Sequence, residues 1–237
     1  MELPGSLAVI TGATEGIGRA TAFALGRAGA RVAICARTAA NVDATVGALH
    51  AAGVDAIGMP CDVSDPACVT TFAAFVSRER GAPGVLVNNA GIGRFTPLLD
   101  LSLEDWDQTM SVNVRSLYLV TRSFLRGMVD AGTGTIVNIA SLAGRNGIEG
   151  GTAYCASKHA VLGFSKSLML EVRKRGIRVV AICPGSVATE FAEKGERVRH
   201  NRDRVLTAED VAHAVLAAVT ADDRAMISEL DIRPTNP

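Results

Sequence analysis

The chain carries no surplus of either charge. Lys plus Arg and Asp plus Glu each number 24 among 237 residues, so the net formal charge is zero and the pI stands near 6.9. Without a basic surface there is no field to gather nucleic acid or an anionic bilayer, and neither is expected as a partner. Long apolar runs are missing as well. No segment approaches the roughly 20 residues needed to cross a bilayer, and no basic stretch followed by a long apolar one opens the chain. Cysteine is sparse and unpatterned: Cys35, Cys61, Cys68, Cys155 and Cys183 are odd in number, with no Cys-x-x-Cys and no Cys/His cluster. That argues against a disulfide framework and against a zinc site, and the thiols read as small buried hydrophobes of a reducing compartment. Internal repeats and low-complexity tracts are also absent. The expectation is a cytoplasmic single domain over residues 1–237, large enough to bury a core without disulfides or metals.

What the chain does have is alternation. Short apolar runs at 7–11, 31–36, 55–61, 85–88, 135–140, 177–183 and 226–232 read as strands, and the helical patterns 16–28, 41–51, 66–80, 102–130, 152–175 and 208–219 lie among them. Such alternation builds βαβ units and a parallel, doubly wound sheet. Leu7-Ala8-Val9-Ile10 is apolar on both faces, as burial between two helix layers requires. Ser64 with Asp65 and Pro66, Ser102 with Glu104 and Asp105, and Thr207 with Asp210 mark helix starts. Gly29, Gly53, Gly81, Gly132 and Gly176 mark helix ends.

The first strand runs into Gly12, Gly16 and Gly18 and then a helix. Glycines there let the backbone approach a pyrophosphate whose charge meets the helix N-terminus, or they serve only a tight turn. The second strand ends at Ala36 and Arg37, where an acidic residue would otherwise hold the ribose 2′-hydroxyl of NAD. A neutral position beside an arginine suits a 2′-phosphate, although a solvated strand-end charge reads the same way. Asp62 and Val63 follow the third strand. The carboxylate there suits either an adenine amino group or an ordinary turn.

Tyr154 and Lys158 stand four residues apart in a helical run, thirteen and seventeen residues after Ser141. Residues at that spacing share a helix face, so an ammonium can sit beside a phenol and tune it as an acid or base. Bringing a tyrosine from about 10 toward neutrality takes about 4 kcal/mol. One ammonium about 4 Å away at an effective dielectric of about 20 supplies an energy of that size. A snorkelling lysine beside an amphipathic ring has the same spacing. Ser141, however, closes an apolar strand, where open α/β sheets present their ligand crevice.

On these residues the chain resembles the classical short-chain dehydrogenases/reductases from about Ser6 to the last strand. The resemblance rests on Thr11-Gly12-x-x-x-Gly16-x-Gly18, Asp62, Asn88-Asn89-Ala90-Gly91, Asn113, Ser141, Tyr154-x-x-x-Lys158 and Pro184-Gly185. It implies an α/β, single-domain Rossmann-type doubly wound parallel sheet of about seven strands flanked by helices on both faces. It also implies a catalytic tetrad: Tyr154 protonates a carbonyl oxygen, Ser141 hydrogen-bonds it, Lys158 tunes the tyrosine and holds a ribose, and Asn113 positions a relay water. By helix pattern alone Asn113 is a surface residue or a kink.

For NADP(H) the resemblance implies Gly12, Thr14, Gly16, Ile17 and Gly18 at the phosphates, and Arg37, Asp62 and Val63 at the adenosine. Asn89, Ala90 and Gly91 form the floor; Tyr154, Lys158, Pro184, Gly185, Val187 and Thr189 face the nicotinamide end. The expected reaction interconverts a small carbonyl compound and an alcohol without a metal. Alternatives are a 3-oxoacyl-(acyl-carrier-protein) reductase-like enzyme and a non-catalytic dinucleotide-sensing protein. Glu15 departs from the basic residue many NADP-preferring members carry there, the segment 189–207 is short, and the chain lacks a Gly-Gly ending.

The mouth is expected to be lined by Gly93, Arg94, Phe95, Leu142, Ala143, Arg145, Ile148, Glu149 and Phe191, although arginines at loop positions are more often plain surface charges. The run Arg197, Arg199, His200, Arg202, Arg204 with Glu193, Glu196 and Asp203 either meets an acidic carrier or forms a solvated lid. Val112, Leu117, Leu119, Val161, Leu162, Leu168 and Met169 cover more than one face of the two long helices. Together with the resemblance they suggest a homotetramer, unless that surplus is core.

Overall fold

The structure is a computed structural model that describes residues 3–189 and 205–235. Seven strands form one sheet: β1 (Leu7–Thr11), β2 (Arg31–Ala36), β3 (Ala56–Pro60), β4 (Val85–Asn88), β5 (Gly134–Ile139), β6 (Ile177–Pro184) and β7 (Glu229–Ile232). Their order is β3-β2-β1-β4-β5-β6-β7, and every pairing is parallel. The order reverses between β1 and β4, which opens a crevice beyond the carboxyl ends of those two strands.

Helices cover both faces. Ala8, Ile10, Val32 and Ile34 face α1 (Gly16–Arg27), α2 (Ala39–Ala51) and α7 (Ala208–Thr220), where Leu25, Val42, Leu49, Val211 and Val215 meet them. The alternate residues Leu7, Val9 and Leu86 face α3 (Pro66–Arg80), α5 (Ser116–Ala131) and α6 (Thr152–Val172) through Phe72, Val76, Phe124 and Leu168. Two buried faces explain why the strands read as unbroken apolar runs.

The caps follow the sequence. The Asp65 carboxylate accepts from the Ala67 amide ahead of Pro66, the Ser102 hydroxyl accepts from the Asp105 amide, and Thr207 and Asp210 form a reciprocal capping box. Gly29, Gly53, Gly81, Gly132 and Gly176 all close their helices at positive φ.

The helix expected over 102–130 is not continuous. It divides into α4 (Leu103–Met110), a π-helical turn (Ser111–Arg115) and α5. An inserted residue leaves the apolar spacing on either side intact, so the pattern does not reveal it. The last strand is shorter than expected, 229–232 instead of 226–232. Leu117, Val161, Leu162 and Leu168 are buried in the core and supply no outer face. Exposed apolar side chains lie elsewhere, at Leu98 and Leu99 ahead of α4, Leu103 at its first position, Tyr118 on α5 and Leu170 on α6. All five thiols are free, and four are buried. Among the described residues no helix is long and apolar enough to cross a membrane, and no cluster of ligating side chains could hold a metal ion.

Candidate active site

The floor of the crevice is a cross-stitch between the turns that follow β1 and β4. Thr11 Oγ1 accepts from the amides of Asn89 and Ala90, both at 3.1 Å, while Asn89 Nδ2 donates to the carbonyls of Thr11 and Gly12, both at 3.0 Å. Gly12 has φ +63°, and a Cβ there would stand 2.9 Å from Ala90 Cα. Gly18 sits beneath this turn: a Cβ would fall 2.3 Å from the Gly12 carbonyl oxygen and 2.4 Å from Asn89 Nδ2. Gly12, Thr14, Gly16 and Ile17 line the crevice, whereas Gly18 supports it from behind. No side chain caps the start of α1, so its first-turn N–H groups are available to an anion. This cradle fits the diphosphate of a dinucleotide.

Asn88 points away from the crevice. Its Nδ2 donates to Thr121 Oγ1 at 3.0 Å and to Asn138 Oδ1 at 2.9 Å, and Asn138 Nδ2 donates to Ser165 Oγ at 2.8 Å. These bonds tie α5 and α6 to the central strands.

At the end of the cleft beyond β2 and β3, Ala36, Arg37, Thr38, Asp62 and Val63 line the wall. Arg37 is exposed at its rim. Asp62 is a turn residue: its Oδ1 accepts from the Ser64 amide at 2.9 Å and from the Ser64 hydroxyl at 2.7 Å. Asn41 lines the cleft too. Sequence reasoning missed it because α2 begins at Ala39, two residues before the expected start, which puts Asn41 in its first turn.

Three of the four expected catalytic side chains meet in the cleft wall. Ser141 follows β5, and its hydroxyl accepts from the Ala143 amide at 3.1 Å, starting a turn of 3₁₀ helix over Leu142–Gly144. Gly144 packs on α6, where a Cβ would lie 2.8 Å from the Lys158 carbonyl oxygen. Tyr154 is 8 % exposed, and its ring is tilted against Phe95 with centroids 5.3 Å apart. Lys158 is 6 % exposed, donates to the Ile139 carbonyl at 2.9 Å, and holds its ammonium 5.7 Å from the Tyr154 ring centroid. Burial pulls the Lys158 ammonium down to about 8, against a smaller electrostatic influence of Cys183 in the other direction.

Asn113 stands behind this wall. It is the buried residue of the π-helical turn: Oδ1 accepts from the Ile92 amide at 2.8 Å, and Nδ2 donates to the Ile92 carbonyl at 2.9 Å and to Ser157 Oγ at 3.0 Å. Gly91 lies between it and Lys158: a Cβ at Gly91 would be 3.3 Å from Asn113 Oδ1 and 3.7 Å from Lys158 Nζ. Ser157 had no signal in the sequence beyond its place next to Lys158.

At the opposite end of the cleft, Pro184, Gly185, Val187 and Thr189 line the wall. The Gly185 amide donates to Ile232 at 2.8 Å, and a bridge to Leu206 uses the Ser186 carbonyl and the Ala188 amide. The amide and carbonyl of Val187 take no part in that bridge and point the other way. Of the expected mouth, Phe95, Leu142, Ala143 and Ile148 do line the cleft. The two arginines do not. Arg94 pairs with Asp105 at 3.3 Å and Gln108 at 3.2 Å on α4, and Arg145 pairs with Glu229 and Asp231, both on β7. Gly93 and Glu149 are not in the wall either. Phe191, Glu193, Glu196, Arg197, Arg199, His200, Arg202, Asp203 and Arg204 lie outside the described residues.

The cleft, about 1020 Å³, accommodates a dinucleotide beside a small substrate. A family model for short chain dehydrogenases matches residues 6–199. The putative ketoacyl reductase of Streptomyces coelicolor is 42 % identical over 188 residues, covering 78 % of this chain and 72 % of that protein. The 3-oxoacyl-(acyl-carrier-protein) reductase FabG of Haemophilus influenzae is 36 % identical over 233 residues, 95 % of each chain. A metagenomic short-chain oxidoreductase solved in complex with NADP superposes with a TM-score of 0.87 at 38 % identity, covering 99 % of this chain and 100 % of that one. Motifs, sheet order and similarity along nearly the whole length agree: the chain belongs to the short-chain dehydrogenase family.

Proposed function

We propose that this protein is an NADP(H)-dependent oxidoreductase that interconverts a ketone or aldehyde and the corresponding alcohol, with cofactor binding and catalysis in one domain over residues 1–237. The observation that carries this reading is the convergence of Ser141, Tyr154 and buried Lys158 on one wall of a cleft whose other end is a glycine cradle at a helix N-terminus. A bound nicotinamide supplies the hydride to the carbonyl carbon, or takes it back in oxidation.

The chain's own groups handle the proton. The Tyr154 hydroxyl gives its proton to the substrate oxygen during reduction and recovers it during oxidation. Ser141 donates a hydrogen bond to that oxygen as charge develops. Lys158 holds a positive charge beside the phenol and offers its remaining N–H bonds to the ribose. Both amide protons of Asn113 are committed to Ile92 and Ser157, so a relay water is not held by them. Arg37 at the rim meets a 2′-phosphate, opposed in part by Glu15, which lines the same cleft. The apolar mouth of Phe95, Leu142 and Ile148 takes the body of a small carbonyl compound. The names of the ketoacyl-reductase relatives favour a 3-oxoacyl substrate as the second reading.

The enzyme is proposed to act in the cytoplasm as a homotetramer, supported by Leu98, Leu99 and Leu103, which are 63 %, 100 % and 74 % exposed. Light scattering at micromolar concentration that gives a monomer ends that assignment. Absorbance at the nicotinamide band, followed over a panel of ketones, aldehydes and 3-oxoacyl thioesters with NADPH and NADH, tests the function. Tight dinucleotide binding with no turnover on any of them overturns it.

A further inference from the structure

Ser157, between the two motif residues of α6, has no assigned part in the reaction, yet it is completely buried. Its hydroxyl uses both capacities. Oγ accepts from Asn113 Nδ2 at 3.0 Å and donates to the Tyr154 carbonyl at 2.7 Å. Asn113 is in turn clamped on Ile92 through both ends of its amide, at 2.8 and 2.9 Å. The result is an unbroken hydrogen-bonded path from the loop after β4, through the π-helical turn, to the first turn of the helix that carries Tyr154 and Lys158. Gly91, one residue before Ile92, forms the floor between the Asn113 amide and the Lys158 ammonium.

We propose that Ser157 is a positioning residue that locks the Tyr154–Lys158 helix in register with the Asn113 turn and the Gly91 floor, so that phenol and ammonium face the substrate oxygen together. The proposal rests on the reading that Tyr154 and Lys158 carry the proton. A helix-interior serine that bonds only to a carbonyl three residues back is common and changes little. What distinguishes Ser157 is the second bond, which spans 44 residues to a side chain with no other use for that proton. Removing the hydroxyl leaves a buried N–H of Asn113 without a partner, and the asparagine can regain one only by letting go of Ile92. Both sides of the site then loosen by fractions of an ångström. Reacting groups tolerate such displacement poorly.

The test compares Ser157→Ala, Ser157→Thr, Asn113→Ala and Tyr154→Phe in steady-state kinetics and NADPH fluorescence titration, each well below its own melting midpoint. Ser157→Ala is expected to lose about tenfold in kcat with KM and NADPH affinity nearly unchanged. Ser157→Thr, which keeps the oxygen, is expected to recover most of that loss. In the Asn113→Ala background the Ser157→Ala loss should shrink to less than about twofold, because the path is already cut. Ser157→Ala with wild-type kcat, while Tyr154→Phe is inactive, overturns the proposal and leaves the proposed function intact. A loss equal in both backgrounds, or a kcat loss that only mirrors a fallen fraction of folded protein, also overturns it. Wild-type kcat in Tyr154→Phe instead removes the reading on which it stands. Should Ser157→Ala fail to fold, a Ser157→Thr variant that folds but lacks activity equally overturns the proposal.

Discussion

The ammonium of Lys158 is anchored at 2.9 Å to the carbonyl of Ile139, the last residue of β5. A central strand thus fixes the cation that faces Tyr154, two residues before Ser141 closes the same segment. One backbone carbonyl sets the spacing of both groups.

That anchored cation predicts a pH dependence. Lys158 releases its proton at about 8 in the folded protein against 10.5 ordinarily, so between those values the unfolded chain binds the proton that the folded one has lost. Stability from this group therefore rises with pH across that window, by about 3 kcal/mol in all. The Cys35 and Cys183 thiols, pushed up chiefly by the hydrogen bond that Cys35 donates to Cys61 and by burial respectively, act with the opposite sign near pH 9. The Cys35 contribution is common to wild type and variant, and that of Cys183, which interacts with Lys158, is removed by making the comparison in a Cys183→Ser background. Denaturant melts of wild type and Lys158→Met at about pH 7.5 and about pH 9.5 should show the wild type gaining on the variant as pH rises; a constant difference refutes the linkage.

Tyr154→Phe keeps the ring contact with Phe95 but removes the proton donor. The expected fall in kcat is about 10²-fold or more with NADPH binding intact. Lys158→Met should cost as much, and Ser141→Ala about 10²-fold through loss of one bond to the developing alkoxide. Retention of more than about a tenth of wild-type kcat in Tyr154→Phe argues against the proton role.

Arg37→Ala should erode the preference for NADPH over NADH by about ten- to a hundredfold in kcat/KM, the worth of a charge-assisted contact to a phosphate, without lowering kcat at saturation. Comparison of the two cofactors checks it. Glu15→Ala should move the ratio the other way.

Gly18→Ala places a methyl group 2.3 Å from the Gly12 carbonyl oxygen. Because the obstacle is backbone, the turn has to shift, at a cost of about 1–3 kcal/mol in stability. NADPH affinity should fall at least about tenfold with it. A melting curve and a fluorescence titration measure both, and an unchanged affinity contradicts the cradle described above.

Much of this molecule could be read from its residues. The strands β1, β2 and β4 and the helix α3 have the ends expected, because burial between two helix layers writes continuous apolar runs and Asp65-Pro66 writes a cap. Ser141, Tyr154 and Lys158 announced themselves through spacing and strand position. Asn113 did not, since neither the π-helical insertion nor its clamp on Ile92 leaves a periodic mark. For Arg94 and Arg145 the sequence left mouth and plain surface charge open, and their carboxylate partners, Asp105 and Glu229, make them surface charges.

Local chemistry, then, was determined by the sequence: alternating burial set the parallel sheet, glycines and caps set the turns, and the four-residue spacing put a phenol and an ammonium on one helix face. Tertiary structure alone decided which polar groups are spent and which remain for a ligand. Ile92, Asn113 and Ser157 are 21 and 44 residues apart along the chain, and a hydrogen bond acts over about 3 Å of space, not over sequence. Only the folded sheet, with its order reversed between β1 and β4, brings them to one wall.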